Sequence, residues 1–147
     1  MIDDVDLKIL GMLCRNAKTP VRDIAKAVGV SIGTVHNKIK KLEKEGYIRS
    51  YTADVDWNKL GYSITAVIEL VVSGGKLLEI EKKVSEFSNV VSVYDVTGES
   101  DVIILAKFRS HEELSTFTKT LLSIQNVDRT NTHIVLTILK ESECLVG

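Results

Sequence analysis

The hydrophobic period of the chain changes at Gly46, and that change dictates a fold in two parts. Up to Gly46 apolar residues recur every three or four positions, the spacing of one helix face; beyond it, stretches that alternate, the spacing of one strand face, are interleaved with helical ones. Asp3 or Asp4 is placed to cap a first helix, along which Val5, Ile9 and Leu13 form a stripe. Asn16-Ala17-Lys18 reads as a turn, with Thr19 as the next N-cap and Pro20 in the first helical position, where its missing N–H costs nothing. Ile24 and Val28 give the second helix its buried stripe, Ala25 permits a close neighbour, and Gly29 stands where a left-handed terminating residue belongs. Ser31 then caps a third helix with apolar positions Ile32, Val35, Ile39 and Leu42, which runs to about Glu45.

After Gly46, Tyr47 to Val55 is rich in β-formers and predicts a strand or short wing, and Trp57 to Gly61 reads as a linker. Ile64, Ala66, Ile68, Leu70 and Val72 alternate as a strand. Gly74-Gly75 breaks it, and Leu77, Ile80, Val84 and Phe87 mark a helix. Val90 to Thr97 and Val102 to Phe108 read as two further strands around Gly98-Glu99-Ser100-Asp101. Ser110 and Glu113 form a capping box for a helix buried through Leu114, Phe117 and Leu121, and Thr132, Ile134, Leu136 and Ile138 alternate along a last strand. The order βαββαβ is the ferredoxin-like arrangement. The fold class expected is therefore α+β: a winged helix-turn-helix over residues 1–50, a strand and linker over 51–61, and a ferredoxin-like domain over 62–147.

Charge separates the same two parts. Residues 1–50 hold ten lysines and arginines against six acidic residues, a net of +4, while residues 51–147 hold nine against fourteen, a net of −5. A basic head on an acidic body suits a polyanionic partner that meets the head alone. The longest nearly pure apolar run, Val102 to Ala106, is too short to span a bilayer, and the acidic start has no basic-then-apolar leader, so a cytoplasmic chain with no membrane partner is expected. Cys14 and Cys144 have no metal-ligand spacing and read as reduced thiols.

A major groove about 12 Å wide admits one α-helix. On the third helix Val35, Ile39 and Leu42 share one stripe, which turns Gly33, Asn37, Lys40, Lys41 and Lys44 outward with Thr34, His36 and Lys38 on the flanks. The N-terminal part of such a helix normally reads bases, and here it offers Ser31, Thr34, His36 and Asn37; Asn37 suits adenine and Lys38 guanine. Lys40, Lys41 and Lys44, with Arg22 and Lys26 on the second helix, are better placed for phosphates. A lysine-rich outer face alone is usually only solvated surface. Cap, glycine turn, basic face and charge asymmetry together favour double-stranded DNA as the partner.

The body holds no catalytic constellation, so no enzyme activity, cofactor or metal site is expected. His36, His111 and His133 lie in separate elements, and Gly74-Gly75 lacks the lysine and hydroxyl residue of a phosphate loop. Asp95, Glu99 and Asp101 cluster around a glycine turn and suit recognition of an ammonium group as well as paired acid chemistry.

The whole chain resembles the leucine-responsive regulatory protein (Lrp/AsnC) family of transcription regulators. Ile2 to Leu10 is similar to its opening helix, and Ile24-Ala25, Val28 to Ser31, Val35, Ile39-Lys40, Leu42-Glu43 and Gly46 to Ile48 to its helix-turn-helix. Gly98-Glu99-Ser100-Asp101 is similar to its glycine–aspartate loop and Thr130 to Leu136 to its last strand. The resemblance implies a homodimer formed through the C-terminal sheet, assembly to tetramers or octamers, and a small effector, usually an amino acid, near that loop. Gly98, Glu99 and Asp101 become candidates to hold the effector, with Thr130 and Thr132 as hydrogen-bonding neighbours. Two positions depart from the family pattern: Ser100 replaces a common aromatic, and Lys38 replaces arginine, which loses a rigid bidentate fork. The function expected is sequence-specific DNA binding that responds to an amino acid. A sensing module acting on a protein partner is the alternative.

Overall fold

The computed structural model describes residues 1–146. They form two compact units, Met1–Asp54 together with the tail from Leu139, and Val55–Ile138. The division falls inside residues 51–61, the segment read from the sequence as strand and linker, and the tail groups with Met1–Asp54.

In the first unit, α1 (Asp4–Arg15), α2 (Val21–Val28) and α3 (Ile32–Lys44) enclose Ile9, Ile24, Ala25, Val35 and Leu42, with Val5, Leu13, Val28, Ile39 and Ile48 packed around them. Asp3 caps α1 in a reciprocal box with Asp6. The expected start of α2 shifts by one residue: Pro20 is the extended residue before the helix, and Thr19 is not a cap. Its hydroxyl instead donates to the Asn16 carbonyl at 2.6 Å, closing the preceding turn. Gly29 ends α2 at φ 79°, ψ 34°, and its N–H returns to the Ala25 carbonyl. Ser31 then caps α3, accepting from the Thr34 N–H.

The strand or wing expected over Tyr47–Val55 does not form; the segment is irregular. A lone run of β-formers has nothing to receive its N–H and C=O groups, and the head supplies no second strand. Tyr51 nonetheless ties the segment to α3 by donating to Glu43 at 2.7 Å.

The second unit is an antiparallel sheet of order β2-β3-β1-β4, the ferredoxin-like order, built from β1 (Ile64–Val72), β2 (Val90–Asp95), β3 (Val102–Phe108) and β4 (Val127–Ile134). Alternate residues of β1 and β3 (Ile64, Ala66, Ile68, Leu70; Val102, Ile104, Ala106, Phe108) are buried with Ile80 and Val84 of α4 (Leu77–Ser85) and Leu114, Phe117 and Leu121 of α5 (His111–Ser123). Phe117 meets Phe87 edge-on at 5.4 Å and Phe108 at 5.2 Å between ring centroids. The box expected at α5 is half present. Ser110 accepts from the Glu113 N–H, but the Glu113 carboxylate turns to the Arg109 N–H and the Asn89 amide.

Two strands differ in extent. β2 stops at Asp95, short of Thr97. β4 begins at Val127 and ends at Ile134, so Leu136 and Ile138 lie beyond it and are exposed. As an edge strand, β4 is bounded by its partner: the Val135 N–H bonds to the Thr65 carbonyl, one residue inside the start of β1.

Candidate functional site

Two places in the chain gather polar groups suited to recognition: the outer face of α3 and the face of the sheet that α4 and α5 leave open.

On the head, Arg22, Ser31, His36, Asn37, Lys40 and Lys41 are all exposed, and Thr34 is half-buried. The hydroxyls of Ser31 and Thr34 are 2.8 Å apart and bonded to one another at the start of α3. They therefore stiffen the end of the helix that would meet a base edge. Lys41 donates to the Met1 carbonyl at 3.1 Å. Asn37 and Lys40 face outward from the stripe made by Val35 and Leu42.

Lys38 departs from the sequence reading, which offered it to guanine. Its ammonium lies 2.6 Å from Asp3 Oδ2 and 2.9 Å from Asp6 Oδ1, with its side chain only 20% exposed. Asp6 is 1% exposed, the one buried charged residue among the described residues. Lys38 holds the Asp3 carboxyl down at about 2, assisted by the Asp6 N–H, and the two carboxylates in turn raise the lysine. In the sequence Asp3 reads as a candidate cap and Asp6 only as part of the acidic start. The missed signal was spacing: Asp6 lies three residues before Ile9, on the buried side of α1.

On the open face of the sheet, a cavity of about 350 Å³ is lined by Glu69, Val71, Glu99, Ser100, Arg129, Thr130 and Asn131. Register explains four of the seven, since Asn131 pairs with Glu69 and Arg129 with Val71 across β1 and β4, on one face, with His133 next along β4 opposite Val67. Glu69 accepts from the Asn131 amide at 2.9 Å and the Ser100 hydroxyl at 3.2 Å, and lies 2.8 Å from His133 Nε2. His133 first, then Ser100 and Asn131, lower its carboxyl below the ordinary value.

The candidate effector residues divide accordingly. Glu99 and Thr130 line the cavity, whereas Gly98, Asp101 and Thr132 do not. Gly98 supplies the turn at φ 122°. Asp101 secures the end of β1, accepting from the Val72 N–H at 2.8 Å and donating its own N–H to Leu70. Thr132 pairs with the buried Ile68, so it points to the helix side, where its hydroxyl is enclosed without a partner. Glu69, Val71, Ser100, Arg129 and Asn131 are the five lining residues that are not among the candidates read from the sequence.

Both cysteines are free thiols. Cys14 is pushed up first by its hydrogen bond with the Cys144 thiol, then by burial. Among the described residues, no three His, Cys, Asp or Glu side chains converge as a metal site, and no helix is long and apolar enough to cross a membrane.

Two family models match successive parts of the chain: a winged helix-turn-helix DNA-binding model over residues 2–49 and an Lrp/AsnC ligand binding domain model over residues 65–145. With the fold described above, they define a DNA-binding transcription regulator rather than an enzyme. An uncharacterized HTH-type transcriptional regulator of Pyrococcus furiosus is 46% identical over 140 residues, 95% of each chain. Among solved structures, a transcriptional regulator from Neisseria meningitidis in complex with L-Met matches with a TM-score of 0.93 at 26% identity, covering 99% of this chain and 96% of that one. Escherichia coli AsnC matches with a TM-score of 0.89 at 28% identity, covering 96% of each chain. The chain belongs to the Lrp/AsnC family of transcription regulators.

Proposed function

We propose that this regulator reads duplex DNA with the outer face of α3 and alters its assembly, and so its promoter occupancy, when an amino acid occupies the open-face cavity. Asn37 and His36, exposed beside the Ser31–Thr34 pair, are the base-reading groups, and Arg22, Lys40 and Lys41 hold phosphates. Two heads of a homodimer enter successive major grooves, with half-sites about one helical turn apart. The location implied is the cytoplasm, where the DNA is.

The observation that carries the effector reading is the pairing of opposite charges around one small cavity. A zwitterion needs a cation for its carboxylate and an anion for its ammonium, and Arg129 lines the same cavity as Glu69 and Glu99. The regulator complexed with L-Met, at 26% identity, lends support by likeness. Dimerisation through the sheet is supported by the half-buried Val67, Val71, Ile103 and Leu105 on that open face, which α4 and α5 do not cover. An effector that binds one assembly better than another shifts the population toward it.

Melting temperature screened against the twenty amino acids, with particle size followed by light scattering, tests this directly. A native-state ligand raises the melting temperature by mass action. At least one amino acid should do so and change particle size, and Arg129→Glu should abolish both effects. No response to any amino acid would remove the effector from the account.

A further inference from the structure

We propose that Asp3 and Asp6 are positioning residues for DNA reading: through Lys38 they fix the rotation of α3, and Lys38 itself contacts no base. This rests on α3 being the reading helix.

The four carboxylate oxygens form a closed set, each with one donor. Asp3 Oδ1 accepts from the Asp6 N–H at 2.8 Å, and Asp6 Oδ2 from the Asp3 N–H at 3.0 Å. Asp3 Oδ2 and Asp6 Oδ1 each accept from the Lys38 ammonium, at 2.6 and 2.9 Å. Carrying Lys38 to a guanine would break the last two bonds. It would leave two adjacent carboxylates without a counter-ion, one of them 1% exposed. A buried charge deprived of its partner is strongly unfavourable, whereas a base edge offers the lysine only what water already gives it. The ion pairs therefore win.

The directional bonds matter because the rest of the seat is apolar. Val35, Leu42 and the half-buried Ile39 hold α3 by hydrophobic contact, which is non-directional, and the two ion pairs of Lys38 add directional contacts on its flank. Lys38 follows Asn37 and lies two residues from His36, so fixing its ammonium fixes where both present their polar atoms. Bidentate recognition of a base tolerates misplacement of roughly half an ångström or 10–20°.

The test compares binding to a duplex from the gene's own upstream region, chosen by footprinting, with a shuffled duplex of equal composition, over a salt series. Lys38→Met and Asp3→Asn should each reduce the ratio of specific to non-specific affinity about tenfold, the scale of one mismatched base pair. Neither should flatten the salt dependence of non-specific binding, and the double variant should be no worse than either single one. Lys38→Arg should restore the ratio. Asp3 is 57% exposed, so Asp3→Asn keeps the test open if Asp6 variants fail to fold. Asp3→Asn also removes a negative charge, so electrostatics alone would strengthen binding to both duplexes; a selective loss on the specific one has no such origin.

The proposal is overturned if Lys38→Met lowers the log–log salt slope by about 0.9, the signature of one fewer neutralised phosphate. It is equally overturned if Lys38→Met loses preference at a single base pair while Asp3→Asn matches wild type. Asn37→Ala, run in parallel, separates the failures. Specificity lost there but kept in Asp3→Asn overturns the positioning role alone; specificity kept in both overturns the reading of α3 as well.

Discussion

Two glycines four residues apart in the helix-turn-helix should respond to the same substitution with opposite signs. Gly29 sits at φ 79°, and an added Cβ would meet no atom within 4 Å. Gly29→Ala therefore carries no packing gain or clash, only the cost of a side chain in left-handed backbone, about 1–2 kcal/mol. Gly33 lies within α3, where an added Cβ reaches no closer than the Ser31 Oγ, at 3.9 Å. There alanine restricts the unfolded chain without strain, and stabilises by about 0.4–1 kcal/mol. Because the chain has two units, a single melting curve would blend them, and hydrogen exchange of peptides from Ile24 to Leu42 is the better assay. Protection there should fall about 5–30-fold in Gly29→Ala, as 1–2 kcal/mol requires, and rise in Gly33→Ala. Peptides from β1 and β3 should be unchanged in both. Unaltered protection in Gly29→Ala, or a loss in Gly33→Ala, would refute the account of the turn.

Three other expectations follow from the same structure. By NMR titration the Asp3 carboxyl should protonate at about 2, and Lys38→Met should return it toward 3.8. Glu113 is held below its ordinary 4.5 by the Arg109 N–H first, then Asn89; its contribution is thus complete above that value and disappears as pH falls through the lower folded value. The body of Glu113→Gln should accordingly lose less stability between neutral and acid pH than wild type, measured by urea titration at each pH. Phe117→Ala removes a ring in contact with Phe87 and Phe108 and should cost the body about 3–5 kcal/mol, while exchange in the head stays as in wild type.

Periodicity made the helices and most of the sheet legible. The stripe of Ile9, Ile24, Val35 and Leu42 and the alternation of Ile64 to Leu70 are local patterns, and both are buried where the spacing put them. What failed was set by partners. Tyr47–Val55 has the composition of a strand but no neighbour to pair with, and β4 takes its limits from β1. The same dependence hid part of the cavity. Which of Asn131 and Thr132 faces Glu69 depends on the parity of the β1–β4 register, and a single-residue slip exchanges them. In the head, Asp6 resembles any acidic residue in a first turn. Only the packing of α1 against α3 reveals that Lys38 closes over it.

The proposed division of one face of α3 into a base-reading part and a phosphate-holding part is measured directly by the salt dependence of binding. Replacing Lys40 and Lys41 by alanine should flatten the log–log salt slope on specific and shuffled duplexes alike, by about 0.9 for each phosphate no longer neutralised. Asn37→Ala should leave that slope unchanged and relax sequence preference. Specific binding untouched by both sets of changes would contradict the assignment of α3 as the DNA-reading helix.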